Sequence, residues 1–168
     1  MEVHIQRLNA ARLPDLFYLA QQLGHPSPHF QDLEQRYAAP QVVPNYLGYL
    51  AYDQQQPVAF CGAIAQQLDT PEGSLQAAQF KDLLVVKKWE EGRLLKRLAR
   101  RVELLCLSHA LTIHYAIADK AVQLWLKEQM GWQYLPGWES SSEEVYMGIS
   151  FDAAIQPEQF IFALNSMS

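Results

Sequence analysis

Leu83-Leu84-Val85-Val86 is an unbroken aliphatic run, and it constrains the fold more than any other stretch. A half-exposed strand alternates apolar with polar residues, whereas a run without alternation belongs to a strand covered on both faces. Residues 77–86 are therefore expected to form a strand at the centre of a sheet. In residues 90–109, Leu94, Leu95, Leu98, Val102, Leu105 and Cys106 recur every three or four positions, with Arg93, Lys96, Arg97, Arg100 and Arg101 opposite them. That spacing predicts an amphipathic helix with one apolar stripe. A buried strand feeding into such a helix points to an α/β chain.

The flanking sequence supplies the remaining elements. Val3 to Leu8 alternates as a half-buried strand does, and Leu16, Phe17, Leu19, Ala20 and Leu23 have helical spacing up to Gly24. His25-Pro26-Ser27-Pro28-His29 is too rich in proline for regular structure, and a short helix is expected over 30–38. Residues 46–52 and 58–64 are aromatic and β-branched around the polar stretch Asp53 to Pro57, which predicts an antiparallel hairpin. A second turn, Asp69 to Gly73, leads to the central strand. After it, a strand is expected over 111–117, a helix over 120–130 closed by Gly131, and a strand pair from 132–135 and 145–151. The tail, 151–168, carries the apolar patch Phe160-Ile161-Phe162.

With 168 residues, 49% of them hydrophobic, the chain can bury one sizeable core and is short for two ordinary domains. One domain over 1–168 is expected. A formal net charge of −5 gives no surplus of positive charge for nucleic acid or a bilayer, and neither partner is expected. No apolar run approaches the roughly 20 residues of a membrane-spanning helix, and Met1-Glu2-Val3-His4 lacks the basic and apolar regions of a signal peptide, so a cytoplasmic location is expected. Cys61 and Cys106 sit in apolar segments, as small buried hydrophobes do. His4, His109 and His114 lie in regular elements without ligand spacing, and no metal site is expected.

The element order is strand, two helices, three antiparallel strands, helix, strand, helix and a closing strand pair. Over residues 2–150 it resembles the GNAT acyl-CoA-dependent N-acetyltransferases, with a mixed, mostly antiparallel sheet and one splayed parallel pair. Local matches add to the order: Ala59-Phe60 after the first hairpin turn, Asp82-Leu83-Leu84-Val85 before the family's cofactor loop, and Met130-Gly131-Trp132 at a helix end. The resemblance implies acetyl-CoA or another acyl-CoA as co-substrate. Its pantetheine would lie along the edge at Leu84, Val85 and Val86, and its pyrophosphate on the turn and helix start at Glu91, Gly92, Arg93, Leu94, Leu95 and Lys96. The physical requirement there is unpaired backbone N–H groups at the positive end of a helix, with little side-chain bulk between them and the phosphates.

In that alignment Glu90 takes the family's Arg or Gln position, Arg93 and Leu95 take its two glycine positions, and Trp125 stands nearest the tyrosine that serves as its acid. Lys87, Lys88, Arg93, Lys96 and Arg97 cluster around the turn and can neutralise phosphate, or form the solvated face of an ordinary surface helix. Asp82, Tyr115 and His29 are candidate acid–base groups. Glu72, Tyr134 and His25 are further groups in the same regions, and the two loop histidines are suited to accept an amine proton near neutrality. The implied reaction is transfer of an acyl group to a primary amine of a small molecule or protein. Two alternatives stay open: a GNAT-like domain that binds or regulates without catalysis, and an enzyme whose donor is an acyl carrier protein. A homodimer is compatible with the sequence.

Overall fold

The structure is a computed structural model that describes residues 3–25, 30, 33–38, 45–90, 92–139, 142–148 and 156–166. Among the described residues, seven strands and five α-helices are assigned: β1 (Val3–Arg7), α1 (Leu13–Gln22), α2 (Leu33–Ala38), β2 (Tyr46–Asp53), β3 (Gln56–Thr70), β4 (Gly73–Val85), α3 (Leu94–Ser108), β5 (Ile113–Ala118), α4 (Lys120–Trp125), β6 (Gln133–Leu135), β7 (Glu144–Met147) and α5 (Pro157–Ser166). The strands form one sheet in the order β1-β2-β3-β4-β5-β7-β6. β1 pairs antiparallel with β2, and β7 pairs antiparallel with both β5 and β6. The two-residue connections from β2 to β3 and from β3 to β4 leave those neighbours no geometry except an antiparallel one. β4 and β5 are parallel, joined through α3. The expected mixed sheet with one parallel pair is therefore present.

Contacts gather the chain into two compact units, residues 1–63 with 82–105, and residues 64–81 with 106–168. The first holds β1, α1, α2, β2 and the near part of β3, together with the end of β4 and most of α3. Phe17, Phe30, Tyr46 and Phe60 form a chain of aromatic contacts there, with ring centroids 6.1, 6.0 and 6.0 Å apart. In the second unit, Phe160, Ile161, Ala163 and Leu164 of α5 pack on Tyr115, Val145 and Met147 of the sheet. The tail patch is thus a helix, opened by Pro157, that covers its own strands. Phe162 points outward and is 64% exposed.

Three expected boundaries move, each for a local reason. β3 and β4 run longer than expected because each hairpin turn takes only two residues: Gln54 and Gln55 before β3, both at positive φ (50° and 72°) as a type I′ turn requires, and Pro71 and Glu72 before β4. The helix expected from Glu90 begins at Leu94: Lys87–Trp89 forms a 3₁₀ turn, and the amides of Glu90 and Gly92 bond back to Lys87 and Trp89 at 3.2 and 3.3 Å. The helix over 120–130 is α-helical only to Trp125 and closes through a π turn, Leu126–Met130, at Gly131.

Candidate functional site

β4 leads towards α3 through residues of which 86–90, 92 and 93 are described. Val86 N–H donates to the Val58 carbonyl at 2.9 Å, and the 3₁₀ turn follows. Arg97 N–H donates to the Arg93 carbonyl at 2.9 Å, so the amides of Leu94, Leu95 and Lys96, one turn nearer the start, have no carbonyl within the helix to bond. Such a helix start favours anions. Lys87 and Arg93 are exposed beside it, while Lys88 is drawn aside, 4.0 Å from Asp53 Oδ2 and 5.9 Å from the centre of the Trp89 ring. A Cβ on Gly92 would meet nothing nearer than the Trp89 carbonyl at 3.6 Å. The chain's own packing therefore does not demand glycine there. This donor set fits a phosphate-bearing ligand.

The side chains proposed from sequence for this ligand divide by burial. Leu84 and Leu94 are buried and face the core, so only their backbone is available. Val85, Val86, Leu95 and Lys96 are half-buried, and Arg93 is exposed. Glu91 and His29 lie outside the described residues.

On the neighbouring part of the same unit, Asp82 of β4 is 1% exposed and carries a hydrogen-bonded chain. Its Oδ1 lies 3.1 Å from His25 Nε2, and its Oδ2 accepts from the Tyr46 hydroxyl. The Tyr46 carbonyl accepts in turn from the Tyr37 hydroxyl. Burial, then the carboxylate of Asp82, holds the Tyr46 phenol well above its ordinary range, so Tyr46 stays a protonated donor. Burial pushes Tyr37 up to about 12 against the opposing charge of Arg7. Gly62 makes room for this chain, since a Cβ there would lie 2.5 Å from the Tyr46 hydroxyl oxygen.

The second unit holds the other candidates. Tyr115 is 1% exposed, packs edge-on against Phe160 at 5.0 Å, and donates to Gln66 Oε1; burial raises its pKa above the ordinary range. Gln66 Nε2 donates to Gln79 Oε1 at 3.0 Å, closing a part-buried polar triangle. His114 is fully buried; its Nε2–H donates to the Leu111 carbonyl at 2.9 Å, and burial lowers its pKa. Tyr134 is 47% exposed and lines a cavity of about 530 Å³ with Lys120, Trp138, Glu143 and Glu144. Glu72 is exposed and accepts from Gln159. Trp125 is half-buried on α4. Among the described residues, no cluster of three or more His, Cys, Asp and Glu side chains could hold a metal ion, and no helix is long and apolar enough to cross a membrane.

A mixed sheet with one parallel pair, its first strand launching an amphipathic helix whose amino end faces outward, defines an α/β fold of a particular kind. It is the GNAT fold. A PaiA N-acetyltransferase from Thermoplasma acidophilum, solved with coenzyme A, superposes with a TM-score of 0.63 at 12% identity, covering 88% of this chain and 99% of that one. A GCN5-related N-acetyltransferase from Ralstonia eutropha JMP134 gives 0.64 at 18% identity, covering 84% and 97%. NAA60 of Arabidopsis thaliana, solved with a bisubstrate analogue, gives 0.61 at 13% identity, covering 90% and 99%. No protein-family model and no curated protein matches the sequence.

Sequence reading named Asp82 and His25 separately, and the fold brings them together. It missed Tyr46 and Tyr37, which read only as the start of a strand and a residue of a short helix. No spacing could have linked them, because Tyr46 lies 36 residues and His25 57 residues from Asp82.

Proposed function

We propose that the chain is an acyltransferase that moves an acetyl or other acyl group from acyl-CoA to a primary amine of a small molecule or protein. The observation that carries this reading is the parallel β4–β5 pair in an otherwise antiparallel sheet. Its ladder runs Ala77↔Ile113, Ala78↔His114 and Gln79↔Tyr115, while β4 continues to Val85 and into the turn before α3. Solved proteins of this fold include ones crystallised with coenzyme A and with a bisubstrate analogue.

On this reading the last residues of β4, Leu84 and Val85, and Val86 after them, offer backbone groups to the pantetheine amides. The first-turn amides of Leu94, Leu95 and Lys96 meet the pyrophosphate, with Lys87 and Arg93 adding charge. The bound thioester supplies an activated acyl carbon.

The test is titration of acetyl-CoA against the melting temperature. At a hundredfold excess over Kd, binding to the folded state adds about 2.7 kcal/mol, which raises Tm by about 5–10 °C for a chain of this size. Arg93→Glu with Lys96→Glu should weaken that binding roughly tenfold, through loss of charge-assisted contacts. A melting temperature unmoved up to millimolar acetyl-CoA would sink the reading.

A further inference from the structure

The end of α1 delivers His25 to Asp82 by a specific backbone device. Gly24 N–H donates to the Gln21 carbonyl at 3.1 Å and His25 N–H to the Ala20 carbonyl at 2.9 Å, with Gly24 at φ 60°. This is a Schellman closure, which glycine makes without strain. It holds the backbone of His25 against the last turn of the helix, and the ring reaches Asp82 at 3.1 Å. Asp82 is buried and is an acceptor at both oxygens when ionised. Tyr46, kept protonated, donates to one oxygen, so the imidazole donates Nε2–H to the other. The lone pair of the ring is then on Nδ1. His25 is 31% exposed against 1% for Asp82, and among the described residues its ring makes no other hydrogen bond.

We propose that His25 is the general base of the acyl transfer, taking the acceptor's proton on Nδ1, and that Asp82 and Tyr46 are its positioning residues. The proposal rests on the acyltransferase reading above. The amine nitrogen forms a bond to the thioester carbonyl carbon and gives a proton to Nδ1, and the C–S bond breaks with its electron pair leaving on sulfur. The imidazolium then returns the proton to the thiolate. The net change is amine plus acyl-CoA to amide plus free CoA thiol, with His25 restored. Asp82 fixes the tautomer and balances the transient imidazolium, and Tyr46 fixes the carboxylate. A ring about a third open to solvent, whose second nitrogen has no partner among the described residues, is free to take a proton from outside.

The experiment compares wild type with His25→Gln, Asp82→Asn and Tyr46→Phe, each first checked for cooperative melting and for acetyl-CoA binding. Thiol release from acetyl-CoA is followed with spermidine, a lysine-bearing peptide and water as acceptors, and ¹⁵N NMR reads the His25 ring. The expected result is an Nε2–H tautomer in wild type that shifts in Asp82→Asn and Tyr46→Phe. In His25→Gln, kcat should fall about 10²–10⁴-fold, the span of one general base, with acetyl-CoA affinity unchanged. The other titratable groups along this chain are Asp82, Tyr46, Tyr37 and Cys61, with Arg7 beside Tyr37.

An Nδ1–H tautomer in wild type overturns the proposal whether or not an acceptor is found. So does a folded His25→Gln variant that turns over within about twofold of wild type, since a general base is worth far more. Wild type that binds no acetyl-CoA overturns the functional reading itself, an outcome distinct from either of these.

Discussion

Gly62 on β3 stands against the hydroxyl of Tyr46 on β2, and the smallest side chain at position 62 would put carbon 2.5 Å from that oxygen. The same Cβ would meet the Phe60 ring at 2.7 Å, and Phe60 is itself stacked on Tyr46 with centroids 6.0 Å apart. Neither ring can retreat, because both are fully buried. Gly62→Ala should therefore cost about 1–3 kcal/mol, the usual range for overpacking a core. It should also move the ¹⁵N shifts of the His25 ring, although His25 and Asp82 are unaltered. Chemical denaturation and NMR on the one variant check both effects.

Glu103 on α3 is 7% exposed and receives Arg100 Nη1 at 2.9 Å. Burial raises its pKa from 4.5, and the Arg100 charge only partly opposes that. The folded state thus holds this proton to higher pH than the unfolded chain does. Stability contributed by Glu103 is complete below 4.5, falls as pH rises through the raised folded value, and is flat above it. Glu103→Gln should accordingly stabilise the protein more at pH 7 than at pH 4. The gain should stay under about 1 kcal/mol, because Arg100 is 41% exposed and water screens the pair. Melting curves at the two pH values decide the sign.

Ala110 closes α3 in the left-handed region, at φ 62°. Its N–H donates to the Leu107 carbonyl, and that of Leu111 to the Cys106 carbonyl, both at 3.0 Å. This is the closure seen after α1, with alanine where Gly24 stands. A Cβ in that conformation costs about 1 kcal/mol. Ala110→Gly should return most of it and raise Tm by about 2–4 °C, as thermal unfolding will register.

Phe160 on α5 is fully buried on Tyr115 and the strands below it. Phe160→Ala should cost about 3–5 kcal/mol, transfer and cavity terms together. Hydrogen exchange should show the amides of β5 and β7 losing protection.

Much of the fold was legible because its signals are local. Alternation in residues 3–8, the unbroken run at 83–86 and the three-to-four spacing of Leu94, Leu98 and Val102 each reflect which side of one element meets solvent. Neighbours in sequence therefore report it. Their order, with the local matches at Ala59-Phe60, Asp82 to Val85 and Met130-Gly131-Trp132, carried the resemblance that implied a mixed sheet with one parallel pair. Where such signals are faint, the reading stopped short. Gln54 and Gln55 carry a type I′ turn without the glycine that announces one, and α5 has only a short apolar stripe after Pro157.

The candidate site was legible only as separate residues. Asp82 was visible as an acid on a buried strand, and His25 as a histidine in a loop. Whether a carboxylate on β4 meets an imidazole at the end of α1 and a phenol on β2 depends on strand register, the Schellman closure at Gly24 and the space left by Gly62. Those are matters of tertiary packing over 36 and 57 residues of chain. The sequence by itself determined the strands, the helices before the tail and their order, because backbone hydrogen bonding and burial periodicity act between near neighbours. Only the tertiary structure decided which polar groups share one buried volume, because that is set by how distant elements pack.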